Sequence, residues 1–189
     1  MGRWEPNARH RLSLSALELF VQQGYESTTV AEIAERAGLT KSTFFRHFTD
    51  KREVLFGSDE LSRLLSDAIT GAPDSATPIA AVAAALDATA VVFDPQRRPW
   101  AQQRQLVIAG NSELRERELL KGATLAAVMA DALHGRGVPD PTASLAAELA
   151  GLALRGALAR WVDPANAREF TDLAGEELAG LRAASLALD

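Results

Sequence analysis

Cysteine is absent from all 189 residues of the chain. That removes disulfides, thiolate nucleophiles and thiolate metal ligands, and it fits a reducing cytoplasm best. Histidine is scarce. His10, His47 and His134 stand far apart, with no second ligand at helical spacing, so neither a metal nor another cofactor is expected. Aromatic residues make up 6%, with a single Tyr, and no stretch alternates apolar and polar residues as a half-buried strand would. The longest uncharged apolar run, IAAVAAAL at 79–86, is far short of the ~20 residues that a membrane span needs. Phosphate loops, G-x-S-x-G and H-E-x-x-H are also lacking, so no enzyme is expected.

What is present reads as helix. Hydrophobic residues make up 47% and charged residues 24%, the balance of a globular protein. The amino-terminal segment MGRWEPNARHRLSLSALELF places positive charge before apolar residues, as a signal peptide does. Glu18 interrupts it, however, and no small-residue cleavage site follows. Leu12, Ala16, Leu19 and Phe20 fall instead on one stripe of an amphipathic helix. Gly24 and Gly38 punctuate the patterns that follow, Leu61 to Ile69 continue a fourth helix, and GAPDSATP at 71–78 is a loop. Asp140-Pro141 and Asp163-Pro164 each resemble an N-cap followed by proline at the first helical position, and Gly135 resembles a helix stop.

Net charge is −5, unevenly spread. Residues 1–56 hold 8 Lys/Arg against 7 Asp/Glu, and the remainder 12 against 18. The first segment is thus the less acidic, yet it is not basic enough to announce nucleic acid by charge alone.

The informative block is TVAEIAERAGLTKSTFFRHFTDK, residues 29–51. Thr29 and Glu32 have the spacing of a capping box, and Val30, Ile33, Ala34 and Ala37 give one buried side of a two-turn helix. Gly38 can take positive φ. Thr40 is placed to cap the next helix, with Leu39 and Phe44 as a hydrophobic staple, while Phe44 and Phe48 share an inward face. Asp50 and Glu53 have the spacing of a second capping box, expected to open the fourth helix. Helix, tight turn, helix is the geometry whose second helix enters a DNA major groove. On its polar side stand Lys41, Ser42, Thr43, Arg46 and His47. Lys and Arg reach guanine edges or phosphates, and hydroxyls bond either. The same residues are equally compatible with the solvated face of a surface helix.

The segment STTVAEIAERAGLTKSTFFRHFTDKREVLF resembles the amino-terminal domain of TetR-family transcriptional regulators through Thr29, Ile33, Ala34, Ala37, Gly38, Thr43, Phe48, Lys51 and Leu55. The upstream ALELFVQQGYESTT adds Ala16, Leu19, Phe20, Gly24, Tyr25 and Thr28. The resemblance covers about residues 8–56. It implies an all-α fold of about nine helices, a DNA-binding domain over 1–56 with its helix-turn-helix at about 29–48, and an effector-binding and dimerisation domain over 57–189. It further implies a cytoplasmic, ligand-responsive repressor, homodimeric through its last two helices, released from a pseudo-palindromic operator by a small molecule. The DNA contacts it implies are Thr29, Thr40, Lys41, Ser42, Thr43, Phe45, Arg46, His47 and Lys51. Phe45 and His47 replace tyrosines common in the family, and Phe45 has no hydroxyl to donate. Trp100, Arg104, Met129 and Arg155 are candidate lining residues of an effector pocket, Arg155 alternatively pairing with Glu148. Leu145, Leu149, Leu152 and Gly156 form a candidate dimer stripe, with Leu173, Leu178 and Leu181 on the last helix. A helical dimeric interaction protein that has lost operator binding is the alternative function.

Overall fold

In a computed structural model, residues 7–57 and 59–187 are described. The expected domain limits at residues 1 and 189 therefore lie outside the described residues. Among them the chain forms nine α-helices, three short 3-10 turns and no strand. No single helix among the described residues is long and apolar enough to cross a membrane. The chain divides into two units. One holds the chain up to Gly57 together with Gln103–Glu118, and the other holds the remainder.

The first unit begins with α1, Ala8–Gln23, which buries Leu12, Ala16, Leu19 and Phe20 as its period requires. Gly24, at φ 87°, stops it and returns its N–H to the Phe20 carbonyl. Helix α2, Val30–Arg36, opens on a complete capping box: the Thr29 hydroxyl accepts from the Glu32 N–H, and the Glu32 carboxylate accepts from the Thr29 N–H. Ile33, Ala34 and Ala37 are buried, and Gly38 turns the chain at φ 65°. A side chain at Gly38 would meet the Arg11 guanidinium, itself bonded to the Ala37 carbonyl, at 2.8 Å. Helix α3, Lys41–His47, is capped by Thr40 and pins the unit through Phe44 (0% exposed) and Phe48 (3%).

Beyond α3 the structure corrects the expected register. The Asp50 carboxylate does accept from the Arg52 and Glu53 N–H groups, but the element it opens is a 3-10 turn, Arg52–Leu55. Glu53 does not reach back; it pairs with Arg117. Gly57 is not inside a helix. It sits at φ 71° ahead of α4, Glu60–Thr70. The stretch 103–118 joins this unit through polar side chains. Arg104 donates to the Leu55 carbonyl at 2.5 Å and grips both Glu118 oxygens, and the Asn111 amide donates to Glu26 at 2.7 Å.

In the second unit α4, α5 (Pro78–Ala88), α8 (Asp140–Trp161) and α9 (Phe170–Leu186) close over an alanine-rich core. Ala81, Ala85, Ala150, Ala153, Ala157 and Ala174 are all inaccessible to water. Small side chains let helices approach closely. A Cβ on Gly156 would lie 2.6 Å from a Glu177 carboxylate oxygen, so a larger residue there would push that side chain aside. Phe93 stacks on Phe170, and Trp161 meets both rings edge-on.

Helices α6 (Arg98–Ala109) and α7 (Ser112–Gly135) complete the chain. Helix α7 ends one residue beyond the expected stop: Gly137, at φ 81°, bonds back to His134, and Val138 bonds to Leu133. That 6→1 and 5→2 pair is a Schellman ending. Asp140 lies inside the first turn of α8 instead of capping it, and Asp163 folds a turn onto the Ala165 N–H, with α9 starting only at Phe170.

Candidate DNA-binding surface

Helix α3 sorts its residues by period. Phe44 faces inward, whereas Lys41, Ser42, Phe45 and Arg46 are exposed and Thr43 and His47 half-buried. Three polar groups form a chain along it. The Thr40 hydroxyl accepts from the Thr43 N–H at 3.1 Å and lies 3.0 Å from the Thr43 hydroxyl, onto which Arg46 donates at 3.1 Å. The tip of Arg46 is thereby tethered one turn back along the helix, which narrows the space its long side chain samples. Phe45, half exposed, leans edge-on against Phe44 at 5.4 Å, with the Lys41 ammonium 6.0 Å above its ring. The Thr29 hydroxyl donates to Glu32 at 2.7 Å, so its proton is already committed; that bond holds the Glu32 carboxyl below its ordinary pKa range.

Lys51 departs from the expected phosphate contact. Its ammonium donates to the carbonyls of Tyr25 (2.8 Å), Glu26 (3.3 Å) and Thr28 (3.1 Å) and lies 4.2 Å from the Tyr25 ring centroid. An ammonium has three donors, and all three are taken. Lys51 therefore closes the turn between α1 and α2.

Other cations of this unit are also engaged. Arg36 bonds Glu18 and Gln22, Arg52 bonds Asp50, and Arg11 bonds the Ala37 carbonyl. Arg9 donates to the His47 and Gly57 carbonyls, both at 2.7 Å. Lys41 and Arg46 remain on the exposed face of α3 without a carboxylate partner among the described residues. Sequence reasoning missed Arg9. The available signal was its position three residues before Leu12 and seven before Ala16, which sets a charge on the buried stripe of α1.

Tyr25 is packed against Phe20 beneath the Lys51 ammonium, and burial pushes its pKa from near 10 up to about 12. The folded state thus holds a proton that the unfolded chain releases first. The associated stability is complete below about pH 10 and is lost as pH rises toward 12. A Tyr25→Phe variant should lose this part of the alkaline destabilisation, as a flatter melting-temperature profile between those pH values.

The four candidate pocket residues have different surroundings. Arg104 belongs to the first unit, where Leu55 and Glu118 satisfy its guanidinium. Met129 is wholly buried in the core of the second unit, Trp100 packs at the edge of that core, and Arg155 is exposed, as is Glu148, with no ion pair between them among the described residues. A groove of about 410 Å³ in the second unit lies elsewhere, lined by Ser66, Thr70, Val128, Asp131, Ala132 and Gly135. On α8 the expected stripe splits: Leu149 is buried, whereas Leu145 (57%) and Leu152 (40%) are exposed. Ala146, Ala153 and Ala157 on the same helix pack into the chain's own core.

Residues 14–57 match the family described as bacterial regulatory proteins, tetR family. Over 46 residues the chain is 56% identical to the HTH-type transcriptional regulator TcmR of Streptomyces glaucescens, covering 24% of this chain and 20% of that protein. The match thus spans about a fifth of that relative's length, and similar shares hold for others. Two solved structures share the fold across nearly the whole chain. A TetR-family regulator of Syntrophomonas wolfei superposes with a TM-score of 0.62 at 16% identity, covering 97% of each chain. A complex of triclosan with SmeT of Stenotrophomonas maltophilia gives 0.62 at 21% identity, covering 95% of this chain and 91% of that one. Residues 14–57, which hold this helix-turn-helix, thus match the tetR family of bacterial regulatory proteins, and the chain shares the fold of TetR-family structures.

Proposed function

We propose that the protein is a cytoplasmic, ligand-responsive repressor that binds a pseudo-palindromic operator as a homodimer. The observation that carries this reading is the split of α3: buried Phe44 fixes the helix, and Lys41, Ser42, Phe45 and Arg46 project from its opposite side. Lys and Arg on such a face suit guanine edges and phosphates, and the exposed Phe45 ring suits a thymine methyl, the apolar feature of the major groove. A two-fold dimer would set two such helices about one helical turn apart on DNA. Leu145 and Leu152, exposed on α8, are apolar side chains that a second copy would cover. The groove beside Ser66, Thr70 and Asp131 has room for a small-molecule effector, a class of ligand that SmeT holds in its triclosan complex. The domain division at about residue 57 follows the same reading, with the stretch 103–118 bonded onto the amino-terminal unit.

Selection of bound genomic fragments at low salt tests the proposal. Recovery of a shared inverted-repeat sequence is the expected result. Folded protein that retains no fragment above background would favour the interaction protein without operator binding.

Lys51 supplies a sharper expectation. Lys51→Met keeps the alkyl stem and removes the three carbonyl bonds, so the variant should lose about 1–2 kcal/mol of stability. The dependence of operator affinity on salt should keep its slope, whereas loss of a phosphate contact would flatten that slope by about one.

A further inference from the structure

We propose that Arg9 is a positioning residue for the recognition helix, holding the carboxyl end of α3 by a two-pronged bond to the carbonyls of His47 and Gly57. This rests on the operator-binding reading above. Helix α3 spans two turns, a length that is marginal unless both ends are held. Thr40 secures its start. Its end lacks a glycine stop: Phe48 leaves the helix in extended conformation (φ −140°, ψ 139°), so the last carbonyls need partners from elsewhere.

Arg9 provides one. One terminal nitrogen donates to the carbonyl of His47, the last residue of α3, and the other to the carbonyl of Gly57, each at 2.7 Å. The guanidinium lies 4.4 Å from the centroid of the buried Phe48 ring. Its charge meets the negative end of the helix dipole. His47 directly follows Arg46, so slack at this carbonyl becomes slack in the last turn, where the Arg46 guanidinium projects. The fork also ties the recognition helix to Gly57, the last residue of this unit's main segment. A planar guanidinium serves two carbonyls from two nitrogens at fixed spacing; an ammonium must serve both from a single nitrogen at the end of a flexible stem.

The test uses the full chain with Arg9→Lys and Arg9→Gln. Operator affinity, affinity for an unrelated duplex and the salt slope of each are measured, together with amide exchange of residues 44–48 without DNA. Both variants should lose about tenfold or more in operator affinity. Affinity for unrelated duplex and the salt slope should hold, and exchange in the last turn of α3 should accelerate. A slope lowered by about one would show a phosphate contact and overturn the proposal. So would Arg9→Lys with full operator affinity and unchanged exchange, because charge alone would then suffice. Should Arg9→Gln fail to fold, Arg9→Lys carries the comparison. Should the natural protein bind no operator, the functional reading fails, and faster exchange in the variants still decides whether Arg9 holds the helix.

Discussion

Phe44→Ala should abolish operator binding while leaving every polar side chain of α3 in the sequence. The Phe44 ring is wholly buried, packed against Phe48 at 5.4 Å and edge-on to Phe45 at the same distance. Removing a buried Phe costs about 3–5 kcal/mol, the lost transfer energy plus the cavity left behind. Domains have only about 5–15 kcal/mol to lose, and this unit is small. The variant should therefore show loss of ordered α3, read as amide exchange of residues 41–48 approaching the rate of an unfolded chain. Phe44→Leu fills most of the volume and should recover most of the binding. That contrast separates packing from any direct contact of the ring with DNA.

The second large effect is on affinity. In a Lys41→Ala, Arg46→Ala double variant, both removed groups are exposed and lack a carboxylate partner among the described residues. Stability should stay within about 0.5 kcal/mol, as for most surface substitutions. Each group, if it reads a base or phosphate, is worth about 1–3 kcal/mol, so operator affinity should fall by roughly 30-fold to 10⁴-fold. A salt titration then apportions the loss. Flattening of the slope marks phosphate contacts, and relaxed sequence preference at one position marks base reading.

The parts of this fold legible in the sequence are those decided by neighbours. The capping box of Thr29 and Glu32, the Thr40 cap, the positive φ of Gly38 and the inward pair Phe44 and Phe48 are set within four residues. The destinations of long cations were not legible. Lys51 reaches 26 residues back to Tyr25, Arg9 reaches 38 forward to His47, and Arg104 reaches 49 back to Leu55. Local pattern carries no information on such partners, and each of these cations answers an unsatisfied carbonyl created by the fold. Helix α8 misled for another reason. Reading its leucines as one dimer stripe gave weight to size, but Leu149 joins the chain's own core, where the buried side of the helix is mostly alanine. Leu145 and Leu152 were thereby turned outward, and Arg155 with them. Asp50 does cap, but two N–H groups of a 3-10 turn satisfy it, and Gly57 resets the backbone before α4 can begin.

The absence of cysteine makes the central claim directly measurable. A Ser42→Cys variant carries one thiol, on the exposed side of α3, to which an iron chelate that cleaves DNA locally can be attached. On the sequence selected from genomic fragments, cleavage should fall in two symmetric clusters, one in each half-site, at the edges of the major groove. Scattered cleavage, or none on DNA that the labelled protein still retains, would mean that this face of α3 does not meet the duplex.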